Sequence, residues 1–279
     1  MKRYLKLVNF EVNRFFKLYL VLLGITILSQ IFGLIVESQV YVNRVNKFIN
    51  KDSMPNSEVI EHYGTMSFLN FSQTAWFLGP IMVSGVVLII YVFFIWYRDW
   101  FGKNTFSYRL LMLPTARINI YLAKATTILL FVLGLVALQL LLLPVEMQIL
   151  QWMVPSEFRT DLSIFAIINS NNYYDLSILF PNTFIDFVLY YAGGMAAVFI
   201  VFTVILFERS FRIKGIIYGI LYCVASLLIF FAPLFVNEVL LSNYFYPMEL
   251  FFLELLAGLV VVACTIWIGH FLLKNKIRV

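Results

Sequence analysis

Six uncharged or nearly uncharged apolar stretches dominate the pattern of hydrophobic and polar positions, at about 15–36, 75–97, 120–143, 184–207, 216–236 and 248–273. Each is about 20 residues or longer, the length an α-helix needs to cross the hydrocarbon of a bilayer. The expected fold is therefore all-α, a polytopic membrane protein with six transmembrane helices. The apolar stretch Leu162–Ile168 is too short to cross and is flanked by Asp161 and the polar run 169–172, so it belongs outside the bilayer. The first stretch is too long for a signal peptide and has no small-x-small cleavage site after it, so it reads as a retained anchor.

Composition agrees and excludes the alternatives. Of 279 residues, 62% are apolar and 13% charged, against about 25% charged in an ordinary soluble domain. With a mean hydropathy of +0.90, the chain has too little polar surface to coat a water-soluble globule. A soluble enzyme, a disordered chain and a disulfide scaffold are all excluded. The two cysteines, Cys223 and Cys264, both sit within apolar runs. Nothing soluble of domain size remains between the spans, so 1–279 is expected to be a single transmembrane domain.

The charges then orient the bundle. Of the 20 Lys and Arg residues, 16 fall in segments 1–17, 98–124, 208–215 and 274–279, and 4 in the three segments on the other side. The basic side faces the cytoplasm by the positive-inside rule, which places both termini inside. Only three acidic residues, Glu11, Asp99 and Glu208, lie among those basic segments. Charge asymmetry of this kind reflects topology and gives no reason to expect a nucleic-acid partner.

Two cytoplasmic segments carry more pattern than anchoring requires. In Lys2–Lys17, Leu5, Val8, Val12 and Phe15 recur at helical spacing, which predicts an amphipathic helix lying at the interface before the chain turns into the first span. Glu11 and Arg14 are expected on its exposed side. Between spans two and three, Gly102 permits a break, Asn104 or Thr105 can cap a new helix, and Pro114 ends it. Phe106, Arg109, Leu110 and Leu113 share one face of that short helix, which would be held crosswise between two spans. On the opposite side, 37–74 and 144–183 are long polar connections, the first broken by Pro55 and the second carrying Pro144, Pro155 and Pro181.

Catalytic chemistry finds little support. The sequence lacks H-E-x-x-H and G-x-S-x-G, and its only Gly-Lys pair, Gly102-Lys103, is not preceded by the glycine of a nucleotide-binding P-loop. His62 and His270 fall on opposite sides of the membrane, so no Cys/His metal site is expected. The chain is not expected to be an enzyme. Acidic residues near the bilayer are the default pointer to a transport path. Asp186, in the first turn of span four, and Glu249 and Glu254, about one to two turns into a helix starting near Pro247, are candidates for an outer gate. Gly215 and Gly219 form a GxxxG on span five, and Gly193 and Gly194 with Ala197 give span four a small-residue face; both patterns suit close helix packing. Gly79-Pro80 reads as a tolerated kink, and Trp96, Tyr97 and Trp100 read as an interfacial aromatic belt.

The run Ser107-Tyr-Arg-Leu-Leu-Met-Leu-Pro-Thr-Ala-Arg117, followed by Ile120 and Lys124, resembles the coupling-helix region of type 2 ATP-binding-cassette (ABC) permeases. There a leucine-rich helix ends in Leu-Pro-x-x-Arg, with a Lys at the base of the next span. The amphipathic opening with Glu11 and Arg14 and the tail Leu272–Val279 are similar to that family as well. The resemblance implies a bacterial cell-membrane exporter subunit for amphipathic cargo: a membrane-active peptide, an antibiotic or a lipid-like molecule. It implies pairing with a second permease copy or a homologous permease, and with two cytoplasmic ATPase subunits that hold ATP and Mg; no cofactor is expected in this chain. Phe106, Arg109, Leu110, Leu113, Pro114, Arg117, Glu11 and Arg14 would form the ATPase-coupling surface. A gradient-driven secondary transporter and a non-transporting sensor or immunity subunit are the alternatives.

Overall fold

In the computed structural model, residues 2–52, 55–100, 112, 116–168, 179–181, 183–240, 242 and 244–277 are described. Among the described residues the fold is all-α apart from one two-residue pairing. In order it forms α1 (Lys2–Asp52), α2 (Asn56–Tyr63), β1 (Met66–Ser67), α3 (Phe68–Ser72) and α4 (Ala75–Trp100). Next come α5 (Ile118–Met153), a 3₁₀ turn (Ser156–Phe158), β2 (Arg159–Thr160), α6 (Ile164–Ile168) and α7 (Phe184–Phe211). The chain ends with α8 (Ile213–Phe235), which runs into a π-helical turn (Val236–Leu240), and α9 (Pro247–Phe271), which runs into another (Leu272–Lys276). Six of these helices, α1, α4, α5, α7, α8 and α9, are long and apolar enough to cross a membrane, and they cover the six predicted stretches. The chain is a multi-pass membrane protein.

Two helices run well past their expected ends. α1 is a single helix of 51 residues, about 76 Å long, so the amphipathic opening does not turn before the first span. Its polar continuation through 37–52 is helical too. No proline interrupts 2–52, and polarity alone does not stop a helix; Pro55, which takes the N-cap position of α2, falls just beyond. α5 likewise passes through Pro144 and ends at Met153, two residues before Pro155. Pro80 in α4 and Pro233 in α8 are also accommodated inside helices, as membrane helices allow.

Residues 1–13, 89–129 and 188–279 make up one compact unit, and residues 14–88 and 130–187 another. In the second unit, Phe131 packs on Phe15 and Tyr19 with ring centroids 5.1 and 4.7 Å apart. Gln30 Nε2 donates to Gln139 Oε1 at 3.1 Å and to the Phe77 carbonyl at 3.2 Å, so a polar pair holds α1 to α5 and α4. Phe68 and Phe71 each meet Phe77 edge-on and are tilted to one another, forming an aromatic cluster. β1 pairs with β2 in parallel, Met66 opposite Arg159 and Ser67 opposite Thr160.

In the first unit, the core forms around Tyr121. Its ring stacks on Phe199 and meets Phe202 edge-on, and its hydroxyl donates to the Phe199 carbonyl at 2.9 Å. α8 buries only Gly215, Gly219 and Ser226, while Ile216, Ile217, Ile220, Leu221, Leu227 and Leu228 are exposed. That is the expected arrangement for a membrane helix, with small residues turned inward and branched aliphatics left for lipid. Between α7 and α8, Arg212 takes φ 54° and ψ −128°, a positive φ that glycine adopts more comfortably.

Candidate functional site

The first unit contains a cluster of charge that an apolar bundle has to justify. It is built from the first turns of α1, the last turns of α4 and the first turns of α5. Lys124 is completely buried, and its ammonium reaches Glu11 Oε1 at 2.7 Å, Asp99 Oδ2 at 2.5 Å and the Ile95 carbonyl at 2.9 Å. Its three donors are thereby all used. Glu11 and Asp99 are each 2% exposed. Arg98 Nη2 donates to the second oxygen of Glu11 at 2.8 Å. Among the described residues, two cations meet two carboxylates here.

Aromatic rings close it in. The Trp96 ring lies 5.3 Å from the Lys124 ammonium, and the Arg98 guanidinium lies 5.8 Å from the Tyr91 ring centre. Trp96 stacks on Trp100 at 5.5 Å and meets Phe202 edge-on. Tyr97 donates to Glu208, while Arg209 sits 4.8 Å over the Tyr97 ring and 5.1 Å over Trp100. Trp96 is 4% exposed. These aromatics are therefore internal packing around charge, and the expected headgroup belt does not hold for Trp96.

The other flank of the segment 101–117 is held separately. Arg117, just before α5, donates from Nη1 to the carbonyls of Leu273 at 2.7 Å and Ile277 at 2.9 Å. A cation is thus placed on the carbonyl-rich end of α9, where the helix dipole favours it. Tyr4 also ties α1 to α5, its hydroxyl 2.5 Å from that of Thr126.

Glu11 overturns an expectation. The buried face of the opening helix runs through Val8, Glu11 and Phe15, with Leu5 61% exposed. Glu11 thus points into the bundle because Lys124 and Arg98 offer it more than water does. Arg14 is half-buried and belongs to the other compact unit. Phe106, Arg109, Leu110, Leu113 and Pro114 lie outside the described residues.

The gate candidates have local duties. Asp186 accepts a hydrogen bond from Thr183 Oγ1 at 2.7 Å, and Thr183 Oγ1 accepts from the Asp186 amide at 3.1 Å, a reciprocal cap on α7. Glu249 accepts from the Tyr246 amide at 3.1 Å at the start of α9. Glu254 is half-buried one turn further on. Asp186 belongs to one compact unit, Glu249 and Glu254 to the other. Gly215 and Gly219 pack α8 against α7 within the chain, whereas a side chain at Gly193 or Gly194 would meet nothing within 4 Å.

Sequence reasoning missed the cluster, although one signal pointed to it. The three acids among the basic segments were Glu11, Asp99 and Glu208, and all three are anchors of this network. It also missed Glu146, assigned to a polar connection but lying in α5, 0% exposed, with neither carboxyl oxygen hydrogen-bonded among the described residues. No family model, curated protein or solved structure matches the chain.

Proposed function

We propose that this chain is the permease subunit of an ABC exporter in a bacterial cell membrane, with both termini cytoplasmic. It works with a second permease and two ATPase subunits and moves amphipathic cargo, foremost a membrane-active peptide, outward. The observation that carries this reading is the way the two flanks of segment 101–117 are fastened. Asp99 and Arg98 lock its leading edge to α1 and α5 through Glu11 and Lys124, and Arg117 locks its trailing edge to the end of α9. An element pushed by an ATPase passes that motion on only if its ends cannot yield. A segment that merely covered the bundle would have no use for three buried charges, and a half-buried fourth, at one end. The resemblance of Ser107–Arg117 to a coupling helix gives the same segment its partner.

Affinity purification of the tagged full-length protein from its native host tests the reading. A P-loop ATPase should co-purify in stoichiometric amount, and Arg109→Glu should abolish its recovery while the bundle still melts as the parent does. Association and export that survive the substitution would remove the coupling role. One observation favours a gradient-driven carrier instead: Glu146, a buried carboxyl without a partner inside a span, the kind of group ion-coupled transporters use. On that reading Glu146→Gln stops flux and no ATPase co-purifies; on the ABC reading the ATPase is recovered from Glu146→Gln as from the parent.

A further inference from the structure

A second polar feature lies on the opposite half of α1, within the unit formed by 14–88 and 130–187. A cavity of about 170 Å³ opens between α1, the end of α2, β1 and α3. Its walls include Glu37, Tyr41, Arg44, Tyr63, Thr65 and Asn70. The frame is fixed from several sides. The Tyr41 hydroxyl lies 2.8 Å from the Gly64 carbonyl and 3.1 Å from that of Phe158, and the Thr65 and Thr160 hydroxyls are hydrogen-bonded. Tyr63 stacks on Phe48 at 4.5 Å. Glu37 and Arg44, by contrast, make no ion pair or hydrogen bond with any described residue. A rigid cradle therefore presents one carboxylate and one guanidinium, both uncommitted, on the same helix.

The order of the two charges selects the ligand. Glu37 is the first charged residue after the uncharged run 18–36, so it stands where α1 leaves the hydrocarbon. Arg44 follows seven residues later, about 10.5 Å further along the helix. A phospholipid zwitterion held in its leaflet carries phosphate nearest the hydrocarbon and the amine beyond it. The site has the reverse order, an acceptor for a cation near the bilayer and a donor for an anion further out. A water-borne zwitterion entering with its ammonium first matches it. An extended peptide advances about 3.3–3.6 Å per residue, and the Arg44 side chain leans back toward the start of the helix, so two or three residues bridge the gap.

We propose that this cavity binds the free termini of a short peptide, two or three residues long. Glu37 takes the α-ammonium beside the Tyr41 ring, and Arg44 takes the α-carboxylate in a charge-assisted pair. The site is independent of the coupling reading, because binding here requires neither ATPase nor nucleotide.

Trialanine is the probe, added to the full-length protein in phosphatidylcholine nanodiscs and followed by saturation-transfer NMR and calorimetry. Free trialanine should bind. N-acetyl-trialanine and trialanine amide should each bind about tenfold more weakly or worse, as should the parent peptide to Glu37→Gln and to Arg44→Gln. The double exchange Glu37→Arg with Arg44→Glu should restore binding, because a zwitterion can turn round. Melting curves matching the parent exclude unfolding as the cause of any loss. Equal binding of free and capped peptides, or unchanged binding in the single variants, would overturn the proposal. Loss of trialanine binding on changing the nanodisc to phosphatidylethanolamine would overturn it too, by assigning the cavity to a lipid headgroup.

Discussion

Lys124→Met is expected to lower the stability of the full-length protein by about 3–5 kcal/mol, the cost of removing one partner from a buried ion cluster. The side chain being replaced is completely buried and bonded to Glu11, Asp99 and the Ile95 carbonyl. Methionine fills nearly the same volume, so almost none of the loss comes from a cavity. It comes from taking away the ammonium to which Glu11 and Asp99, each 2% exposed, both bond. Two measurements check this origin. Equilibrium unfolding in mild detergent should show the loss, and adding Glu11→Gln and Asp99→Asn to Lys124→Met should recover a large part of it, since neutral amides no longer need a cation. If the triple variant is less stable than Lys124→Met alone, the ammonium is acting through packing and the electrostatic account fails. The same loss should loosen the leading edge of segment 101–117, seen as faster hydrogen exchange at the ends of α4 and α1 than in α9.

The residues of this cluster show where sequence reading succeeds and where it stops. The six spans were legible because hydrocarbon thickness imposes a length on every apolar run, and α4, α7, α8 and α9 start and end within a few residues of the predicted stretches. The ends of α1 and α5 were not legible, because a helix ends where backbone donors or geometry fail, not where residues turn polar. Pro55 and Pro155 are the stops, and the polar residues before them extend the helices. Glu11, Asp99 and Lys124 are separated by up to 113 positions, and no periodicity within α1 says that a charge on its face will meet another on α5. Only the scarcity of acids on the basic side hinted at it. Trp96 failed for a related reason: an aromatic near a span end looks the same in sequence whether it faces headgroups or a buried lysine. Glu146 was placed in the connection 144–183, which begins at Pro144, yet α5 continues through that proline, as a membrane-embedded helix tolerates.

Gly215→Ala is the second large effect, and the contrast with Gly193→Ala gives it meaning. An added Cβ at Gly215 would lie 2.6 Å from the Phe207 carbonyl carbon and 2.8 Å from Glu208 Cα. Both obstacles are backbone and cannot rotate aside, so α7 and α8 must separate. Overpacking typically costs about 1–3 kcal/mol, and an unyielding neighbour places this site at or above the top of that range. Gly219→Ala should cost less, because there the nearest atom, 2.9 Å away, is a methyl carbon of Val204 that can shift. Gly193→Ala and Gly194→Ala meet nothing within 4 Å, so in the monomer alanine is expected to be neutral or to help through its better helix propensity. Thermal unfolding of the four variants should rank Gly215→Ala lowest, then Gly219→Ala, with the other two at or above the parent. A marked loss at Gly193 or Gly194, appearing only under conditions where the protein self-associates, would assign that face to contact between two copies of the chain. Equal behaviour of Gly215 and Gly193 would mean that α7 and α8 are not held at the close approach the structure requires. Separation there has a further consequence, because Glu208 and Arg209, at the same end of α7, grip Tyr97 and Trp100 of α4. Gly215→Ala should therefore also weaken the hold on α4 next to segment 101–117, which links this packing contact to the charge cluster through one helix.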